Sequence, residues 1–387
     1  MSAPAAVVAG ERREALRRRL RDLGFDEVRF AAARAGTFPD LRDWLAAGHQ
    51  AGMQWLERTA AKRMNPDLVL AGARSLIVLG VNYHGAETAA RPERPVWARY
   101  ALHDDYHDTL APGLAAAGRL LEATLGLAGT DYRYYVDTGP VLERGWAARS
   151  GMGFRGKNGM LISRRHGNWL FLAAILTRLE IAPDESLQPA GAGADGERAG
   201  LLCGTCTRCL AACPTEAFPA PGVVDARRCI SYHTIENKGI IPRELRAGIG
   251  NRVYGCDVCL EVCPWNRFAA AGRRLLLGVR GDLAELGLAE LLALDPAGFA
   301  ARFKGTAVKR LKLAGLLRNA CVVAGNTGGP EHLPALVRLA AHESAVVRAH
   351  AVWAVHRLAG ASGAAERLRA ARDRETDPAV LAEYAAG

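Results

Sequence analysis

The sequence predicts a multidomain protein of mixed class, α+β or α/β, with an N-terminal α/β domain, a small cysteine-rich module and a C-terminal helical region. Three observations favour this organisation. Apolar strand-like runs alternate with amphipathic stretches over the first 180 residues, eight of the nine cysteines lie within residues 201–266, and the composition turns helical after Phe268. A length of 387 residues allows two or three domains.

The elements of the N-terminal domain follow from hydrophobic spacing and from turn residues. Helices are predicted where apolar residues recur at helical intervals, and strands where short apolar runs are bounded by turn chemistry. His166-Gly167-Asn168 separates two of these runs and predicts that they pair as a hairpin. The predicted helices are residues 11–23, 41–47 and 109–125, and the predicted strands are residues 28–32, 75–83, 132–136, 160–164 and 169–177.

Two boundaries divide the chain into domains at residues 1–187, 188–270 and 271–387. Residues 188–200 are rich in Gly, Ala and Pro and lack periodicity, so they are interpreted as a linker or an exposed loop. In the last domain RNACVVA at residues 318–324 matches RAHAVWA at residues 348–354, a period of thirty. This period predicts HEAT-like helical repeats, although two Ala-rich helices can also match by chance.

Charge and hydropathy restrict the cellular setting. The longest apolar run has eight residues, whereas a bilayer-spanning helix needs about 20, and the N-terminus lacks the order of a secretory signal. We therefore expect a cytoplasmic protein that is monomeric and does not associate with a membrane. Residues 301–387 hold 13 Lys and Arg against 7 Asp and Glu, which is most of the net charge of +10. This basic segment indicates either a nucleic-acid partner or a solubilising surface.

The cysteines carry the most specific pattern in the sequence. The first four follow the bacterial ferredoxin spacing C-x2-C-x2-C-x3-C-P, and C-x2-C-x3-C-P recurs later with one cysteine missing, which Cys229 can supply. In two-cluster ferredoxins the cysteine before Pro ligates the other cluster. The spacing therefore predicts two [4Fe–4S] clusters, one on Cys203, Cys206, Cys209 and Cys263 and the other on Cys213, Cys229, Cys256 and Cys259.

Structural zinc is the alternative, because CxxC pairs also build zinc ribbons. Zinc does not explain the triple CxxCxxC or the two Cys-Pro endings. The ninth cysteine, Cys321, lies on an apolar helix stripe and is interpreted as a core residue. Clusters with four thiolates each have no open iron and only transfer electrons, so the substrate chemistry must reside on another cofactor or on the α/β domain.

Asp137 is the candidate for that chemistry. It follows an apolar strand, in a loop position where α/β domains often place functional groups. The structural alternative is an aspartate that starts a turn or caps the next helix. Gly151-x-Gly153-x-x-Gly156 matches a dinucleotide fingerprint, but a helical stretch precedes it and a strand follows it, so we do not interpret it as a nucleotide site.

Taken together, these segments resemble the epoxyqueuosine reductase family, which acts on tRNA and is similar to the core of reductive dehalogenases. The resemblance runs in order over about residues 40–330, and His233, where an aliphatic residue is expected, is one departure. The matching segments are DTGPVLER at 137–144, GKNG at 156–159, the eight cysteines, RCISY at 228–232, YGCD at 254–257, CPWN at 263–266 and LLRNA at 316–320.

The resemblance implies a base-off cobalamin beside the two clusters and a substrate tRNA that carries epoxyqueuosine at the wobble position of a GUN anticodon. It implies that Asp137 donates the proton, and an external one-electron donor of unknown identity would supply the clusters. The implied corrin contacts are Arg63, Asp137, Lys157, Asn158, Ser163, Ser231, Cys256, Asp257, Val258 and Cys259. To remain protonated at neutral pH, the Asp137 carboxyl would need a raised pKa from burial.

Within this reading the basic C-terminal segment has a function. We expect it to grip tRNA phosphates through Lys309, Arg310, Lys312 and Arg318, its densest basic group. The alternative function is a reductive-dehalogenase-like corrinoid iron–sulfur reductase of a small molecule, which explains the clusters equally well but not the basic helices. A non-enzymatic iron–sulfur scaffold is a third and poorer explanation.

Overall fold

A four-stranded antiparallel sheet is the centre of the N-terminal part of the chain. The computed structural model describes residues 7–34, 38, 40–85, 94–187, 199–273 and 276–386. The strands are β1 (Glu27–Ala32), β2 (Ser75–Asn82), β3 (Val96–Trp97), β4 (Tyr132–Tyr135), β5 (Phe154–Arg155), β6 (Leu161–Ile162), β7 (Leu170–Thr177) and β8 (Arg252–Tyr254). The order in the main sheet is β1-β2-β7-β4, and each neighbouring pair is antiparallel.

The helices surround this sheet and form the C-terminal part of the molecule. The N-terminal helices are α1 (Gly10–Asp22), α2 (Asp40–Ala46), α3 (Gln54–Arg58), α4 (Ala60–Met64), α5 (Tyr106–Leu125) and α6 (Glu143–Arg149). The cysteine-rich region contains α7 (Arg208–Ala211), α8 (Ile230–Ile235), α9 (Arg243–Ile249) and α10 (Val258–Glu261). The C-terminal helices are α11 (Gly281–Ala284), α12 (Leu288–Leu292), α13 (Pro296–Arg302), α14 (Lys312–Thr327), α15 (Leu333–Leu339), α16 (Ala345–Arg372) and α17 (Pro378–Ala385).

The mixed composition of helices and strands is as predicted, but the predicted hairpin at residues 160–177 is wrong. β6 pairs with β5, whereas β7 lies inside the main sheet between β2 and β4. Between the two runs the only strand-type pairing in the described residues is one isolated bridge, Ser163 with Gly167. The reason is length: β7 matches all eight residues of the buried strand β2, and β6 has only two. An antiparallel ladder with β2 buries far more apolar surface than a short hairpin would.

Three hydrophobic cores organise the packing, and the smallest of them packs Trp146 of α6 against Leu76 and Leu176 of the sheet. The first large core lies on the other face of the sheet and joins α1, α5 and β7, with Leu20, Leu114 and Ile175 fully or almost fully buried. The second large core lies among the C-terminal helices and also takes in Trp97, Ile230 and Val253. Side chains from all three predicted domains therefore share this second core, and the domain boundaries themselves stay predictions. Of the predicted linker, residues 188–198 lie outside the described residues.

The two copies of the thirty-residue repeat lie on α14 and α16, and these helices pack against each other. α16 bends at Gly360, whose φ of +66° interrupts the helix. The interpretation as HEAT-like repeats stays a prediction. Within the described ranges, no helix is both long enough and apolar enough to cross a membrane.

Candidate functional site

Four of the eight clustered thiols surround one cavity. Cys203, Cys206, Cys209 and Cys263 line a space of about 120 Å³. Cys203 ends a short 3-10 helix, Cys209 lies in α7, and Cys263 immediately precedes a 3-10 helix at Pro264–Phe268. The fold thus brings the last cysteine of the second motif to the first three cysteines of the first motif.

The other four cysteines form a second group. Burial raises the pKa of the Cys259 thiol, and charges on Cys229, Cys256 and Cys213 would raise it further, because these groups lie close to one another. Cys229 stands immediately before α8, and the Cys213 sulfur accepts a 3.3 Å hydrogen bond from the amide of Ala217. Cys321 is apart from both groups, fully buried in the helical core.

Two side chains that the sequence associates with a corrin ring are engaged with the cysteine loops. The Lys157 ammonium donates to the carbonyl oxygens of Gly204 at 2.8 Å and Cys206 at 3.0 Å. The buried Asn158 amide donates to the Asn168 side chain at 3.0 Å and to the carbonyl of Cys259 at 3.3 Å. Lys157 therefore ties the N-terminal domain to the first thiol group, and Asn158 ties it to the second.

An asparagine pair that the sequence reasoning missed completes this connection. Asn266 accepts from the Asn168 amide at 3.0 Å and donates to the carbonyl of Leu260 at 2.6 Å. The chain Asn158–Asn168–Asn266 links the loop after β5, the start of β7 and the second cysteine motif. The Trp-Asn pair after Cys263-Pro264 was visible in the sequence, but nothing in it indicated the partner of the asparagine.

The remaining residues of the predicted corrin set lie in different surroundings. Ser163 is buried, and its hydroxyl accepts from the amides of Arg165 and His166 within its own turn. The Asp257 carboxylate accepts from the amide of Arg99 at 2.7 Å, and burial raises its pKa to about 6. Ser231 is half-buried in the first turn of α8, and Val258 begins α10. Contact between these residues and a corrin stays a prediction.

Asp137 lies two residues beyond the end of β4, beside the first turn of α5. The Tyr106 hydroxyl donates to Oδ2 of Asp137 at 2.6 Å, and Nε2 of His107 lies 3.8 Å from the same oxygen. Nδ1 of His107 lies 2.7 Å from Oδ1 of Asp105, which also caps α5 by accepting from the His107 amide. Asp137 has a φ of +55°, a left-handed conformation that a non-glycine residue adopts only when its surroundings hold it.

The electrostatics of Asp137 are opposite to the expectation of a raised pKa. His107 most strongly lowers the pKa of Asp137, to about 2, and the Tyr106 hydroxyl and the Arg310 guanidinium lower it further against the effect of burial. Burial alone would lower the pKa of His107, but Asp105 and Asp137 outweigh it and raise the pKa to about 9. The carboxyl is also 58% exposed. Without a bound ligand, Asp137 is therefore an ionised group beside an imidazolium.

Glu143 is a second carboxyl that the sequence reasoning did not select. Burial raises its pKa to about 7, the Asp137 charge contributes, and Arg63 and Arg144 act in the opposite sense. Oε1 of Glu143 is buried and has no hydrogen-bond partner. Arg63, from the predicted corrin set, donates to the carbonyl of Val141 at 3.1 Å and interacts electrostatically with both Glu143 and Asp137. The DTGPVLER motif did contain Glu143, but its burial depends on the fold.

The predicted nucleic-acid residues divide into two kinds, and Arg318 is a correction. Arg318 is 0% exposed, and its guanidinium donates to the carbonyls of His233, Asn237 and Gly239 at 2.6 to 3.1 Å. It therefore cannot reach a phosphate in this fold. The basic residues around Arg318 in the sequence do not indicate that it lies on the inner face of α14. Lys309, Arg310 and Lys312 are exposed, and Arg310 pairs with Glu236 at 2.8 Å.

Two family models match segments of this chain. The family model described as a 4Fe-4S double cluster binding domain matches residues 202–266. The family model described as epoxyqueuosine reductase QueG, DUF1730, matches residues 63–138, which end one residue after Asp137.

Curated relatives cover most of the chain. It is 39% identical over 322 residues to the epoxyqueuosine reductase of Xanthomonas campestris, covering 81% of this chain and 87% of that protein. It is 37% identical over 346 residues to the epoxyqueuosine reductase of Pseudomonas aeruginosa, covering 87% of this chain and 92% of that protein.

Solved structures extend the similarity to the fold. An epoxyqueuosine reductase crystallised with an epoxyqueuosine-modified tRNA-Tyr stem loop superposes with a TM-score of 0.82 at 29% identity and 96% coverage of both chains. An epoxyqueuosine reductase from Bacillus subtilis, with its catalytic aspartate loop swung out of the active site, gives 0.81 at 29% identity and the same coverage. On these similarities, the chain belongs to the epoxyqueuosine reductase family.

Proposed function

We propose that this chain reduces epoxyqueuosine in tRNA with a GUN anticodon to queuosine, using two [4Fe–4S] clusters and cobalamin. The main support is that two groups of four thiols adjoin the domain that contains Asp137. The names of the curated relatives and the modified stem loop in a solved relative support the same substrate. Removal of an epoxide oxygen takes two electrons and two protons and releases water.

The thiol groups fit two clusters better than zinc. The proposed ligands are Cys203, Cys206, Cys209 and Cys263 for one cluster and Cys213, Cys229, Cys256 and Cys259 for the other. Support comes from the cavity between the first four thiols. Across the described part of the chain, no group of three or more His, Cys, Asp or Glu side chains could hold a single metal ion. A cubane separates its thiolates more widely than one tetrahedral zinc does.

Cobalamin would lie between the Asp137 loop and the second thiol group. The residues present fit such a ligand, since Oε1 of Glu143 is buried without a donor and the amide groups around a corrin could supply one. Arg63 and the segment Cys256, Asp257, Val258 and Cys259 would border it, with Ser231, Lys157, Asn158 and Ser163 as further proposed neighbours. When bound, cobalamin supplies a cobalt centre that performs the reductive chemistry.

Asp137 is the proposed proton donor. Tyr106 and His107 hold its carboxylate, and the ligand-free group is ionised because His107 stabilises the charge. A substrate and corrin that cover this half-exposed loop would remove water and raise the pKa of Asp137. We propose that the His107 imidazolium, 3.8 Å from Oδ2, returns a proton after each turnover. The exposure of the Asp137 side chain supports a loop that can change position, as in the Bacillus subtilis relative.

The RNA-binding face is proposed to include the exposed residues Lys309, Arg310 and Lys312. Arg310 lies near enough to Asp137 to lower the pKa of that carboxyl, so basic charge extends from the helical region to the proposed reaction centre. Phosphate contacts there would hold the anticodon stem while the modified base enters the cleft.

The test is reconstitution of the full chain. Anaerobically purified protein with both clusters, cobalamin and dithionite should convert epoxyqueuosine in a tRNA stem loop to queuosine, measured by mass spectrometry of the digested nucleosides. Omission of cobalamin should abolish conversion. A protein that leaves this tRNA unchanged but dehalogenates a small organohalide under the same conditions would show the small-molecule reductase to be the correct alternative.

A further inference from the structure

We propose that the mouth of the first cysteine cavity is the docking face for a small acidic one-electron carrier protein. This inference rests on the proposed function, because it assigns the entry point of the electrons that the reduction consumes. Beside the four thiols, the cavity is lined by Arg208, Pro264 and Trp265. Arg208 is exposed, so the face combines surface positive charge with direct proximity to cluster ligands.

The segments that line the cavity carry charge of one sign only. Residues 154–168, 199–213 and 263–270, the three segments that line the cavity, contain six Lys and Arg and no Asp or Glu. Three of the six are otherwise engaged: Arg155 pairs with Asp40, Arg165 lies 3.4 Å from Glu27, and Lys157 binds carbonyl oxygens. Arg164, Arg208 and Arg267 are exposed and make no ion pair with the described residues. Unpaired charge of one sign attracts an oppositely charged partner and accelerates its association.

Aromatic side chains extend from the cavity to the surface. The rings of Phe154 and Trp265 are 5.3 Å apart, and those of Trp265 and Phe268 are 5.8 Å apart. Phe268 is 49% exposed, and the Arg267 guanidinium lies 4.5 Å from its ring centre. An exposed aromatic residue beside an arginine is a common centre of a protein contact. A small apolar centre within a basic rim suits the limited interfaces of transient electron-transfer complexes.

Two members of the second thiol group pack against the hydrophobic cores. Cys256 packs against the helical core, and Cys259 packs against the core on the sheet. The first group is therefore the better entry point, and the second group lies between it and the interior. Each docking event would transfer one electron, so that the carrier is oxidised by one electron and the cluster held by Cys203, Cys206, Cys209 and Cys263 is reduced by one. Two events supply the two electrons that one epoxide requires.

An RNA phosphate backbone is the competing partner for an arginine-rich face. The carrier is favoured because the face opens on the thiols, whereas the groups that adjoin Asp137 are Tyr106, His107 and Arg310, and none of these lines the cavity. The modified base must reach Asp137, so its stem is expected on the side of Arg310.

The test uses the holoprotein with both clusters and a purified flavodoxin, which is acidic, as the probe. Arg208→Glu/Arg267→Glu should weaken flavodoxin binding by about tenfold or more and flatten its salt dependence in surface plasmon resonance. The rate of cluster reduction by flavodoxin should fall in parallel. Dithionite, which needs no docking face, should reduce the clusters and support tRNA conversion as in the wild type. Iron content confirms that both clusters remain.

The matched control is Arg12→Glu/Arg18→Glu, which makes the same change of charge at exposed positions of α1. This helix packs against β1. It should leave flavodoxin binding close to the wild-type value. If Arg208→Glu/Arg267→Glu loses iron, Arg208→Gln/Arg267→Gln removes the positive charges without adding negative ones. Unchanged flavodoxin affinity overturns the inference, as does weakened tRNA stem-loop binding with unchanged flavodoxin binding. Failure of dithionite-driven conversion in the wild type would instead contradict the proposed function.

Discussion

The phenolic hydroxyl of Tyr106 donates a 2.6 Å hydrogen bond to Oδ2 of Asp137. Tyr106 is held in place by stacking on Phe171 of β7, with ring centres 4.6 Å apart and planes at 12°. The first turn of α5 and the central strand of the sheet therefore position the carboxylate together. This contact explains how an exposed loop residue keeps a defined orientation. The chemistry of Asp137 can therefore be tested with substitutions that leave the fold unchanged.

Asp137→Asn should abolish most turnover while preserving structure. The amide retains the size and hydrogen-bonding capacity of the side chain but has no transferable proton. Conversion of epoxyqueuosine in tRNA should fall by about two to four powers of ten, the usual contribution of general acid catalysis. Binding of tRNA and reduction of the clusters by dithionite should persist. Conversion close to the wild-type rate would reduce Asp137 to a turn residue.

His107→Gln should raise the pKa of Asp137 in the ligand-free protein. The imidazolium is the main cause of the low value, about 2, and a neutral glutamine cannot replace its charge. Carbon-13 NMR of aspartate-labelled protein follows the titration of the carboxyl directly. His342→Gln, in the loop between α15 and α16, is the control and should leave the titration unchanged. An unshifted Asp137 in His107→Gln would mean that Tyr106 and Arg310 suffice to keep the carboxyl ionised.

Glu143→Gln should change how stability depends on pH. In the folded chain the pKa of Glu143 is raised to about 7, against 4.5 for an unperturbed group, so the folded state holds this proton more tightly than the unfolded state. The associated stability is fully present below pH 4.5 and is lost as the pH rises through about 7. Glutamine abolishes that loss, which is roughly 3 kcal/mol.

Thermal unfolding at pH 5 and pH 8 checks this prediction. The variant should lose less stability than the wild type between the two values, and Glu57→Gln, at an exposed position of α3, should behave as the wild type does. Parallel losses in Glu143→Gln and the wild type would show that Glu143 is already ionised at low pH.

Substitutions of Arg318 and of the exposed lysines should affect stability and RNA binding separately. Arg318→Met leaves the carbonyl groups of His233, Asn237 and Gly239 without this donor, so the free energy of unfolding should fall by roughly 3 kcal/mol. Lys309→Ala/Lys312→Ala should leave stability nearly unchanged but weaken binding of the tRNA stem. The log–log salt dependence of that binding should decrease by about one unit for each lost phosphate contact. Unfolding curves and a binding titration over several salt concentrations distinguish the two effects.

The clusters should contain eight irons per chain after anaerobic reconstitution, because eight thiols form two groups of four. Cys229→Ala should lose one cluster and retain the other, as measured by iron analysis and Mössbauer spectroscopy. Cys321→Ala, which removes a thiol outside both groups, should keep both clusters. Two intact cubanes in Cys229→Ala, or stoichiometric zinc in the wild type, would refute the ligand assignment.

The sequence alone identified the features of this protein that depend only on residues close together in the chain. The spacing of Cys203, Cys206, Cys209 and Cys213 is dictated by cluster geometry within eleven residues, so it can be recognised without knowledge of the fold. The run at β2 was long and apolar enough to be recognised as a buried strand, and Asp137 stood out because it follows a strand within a distinctive motif.

The tertiary structure decided everything that depends on partners distant in the chain. Arg318 and Lys312 belong to the same basic group in sequence, yet only Arg318 turns inward, because α14 packs against the segments around α8. The same holds for the antiparallel position of β7 and for the contact of Tyr106 and His107 with Asp137, which join elements that lie apart in sequence. The burial of the Glu143 carboxyl oxygen depends on the packing around it. Composition reports how much charge and apolar surface a segment has, but only packing determines which side of it meets water.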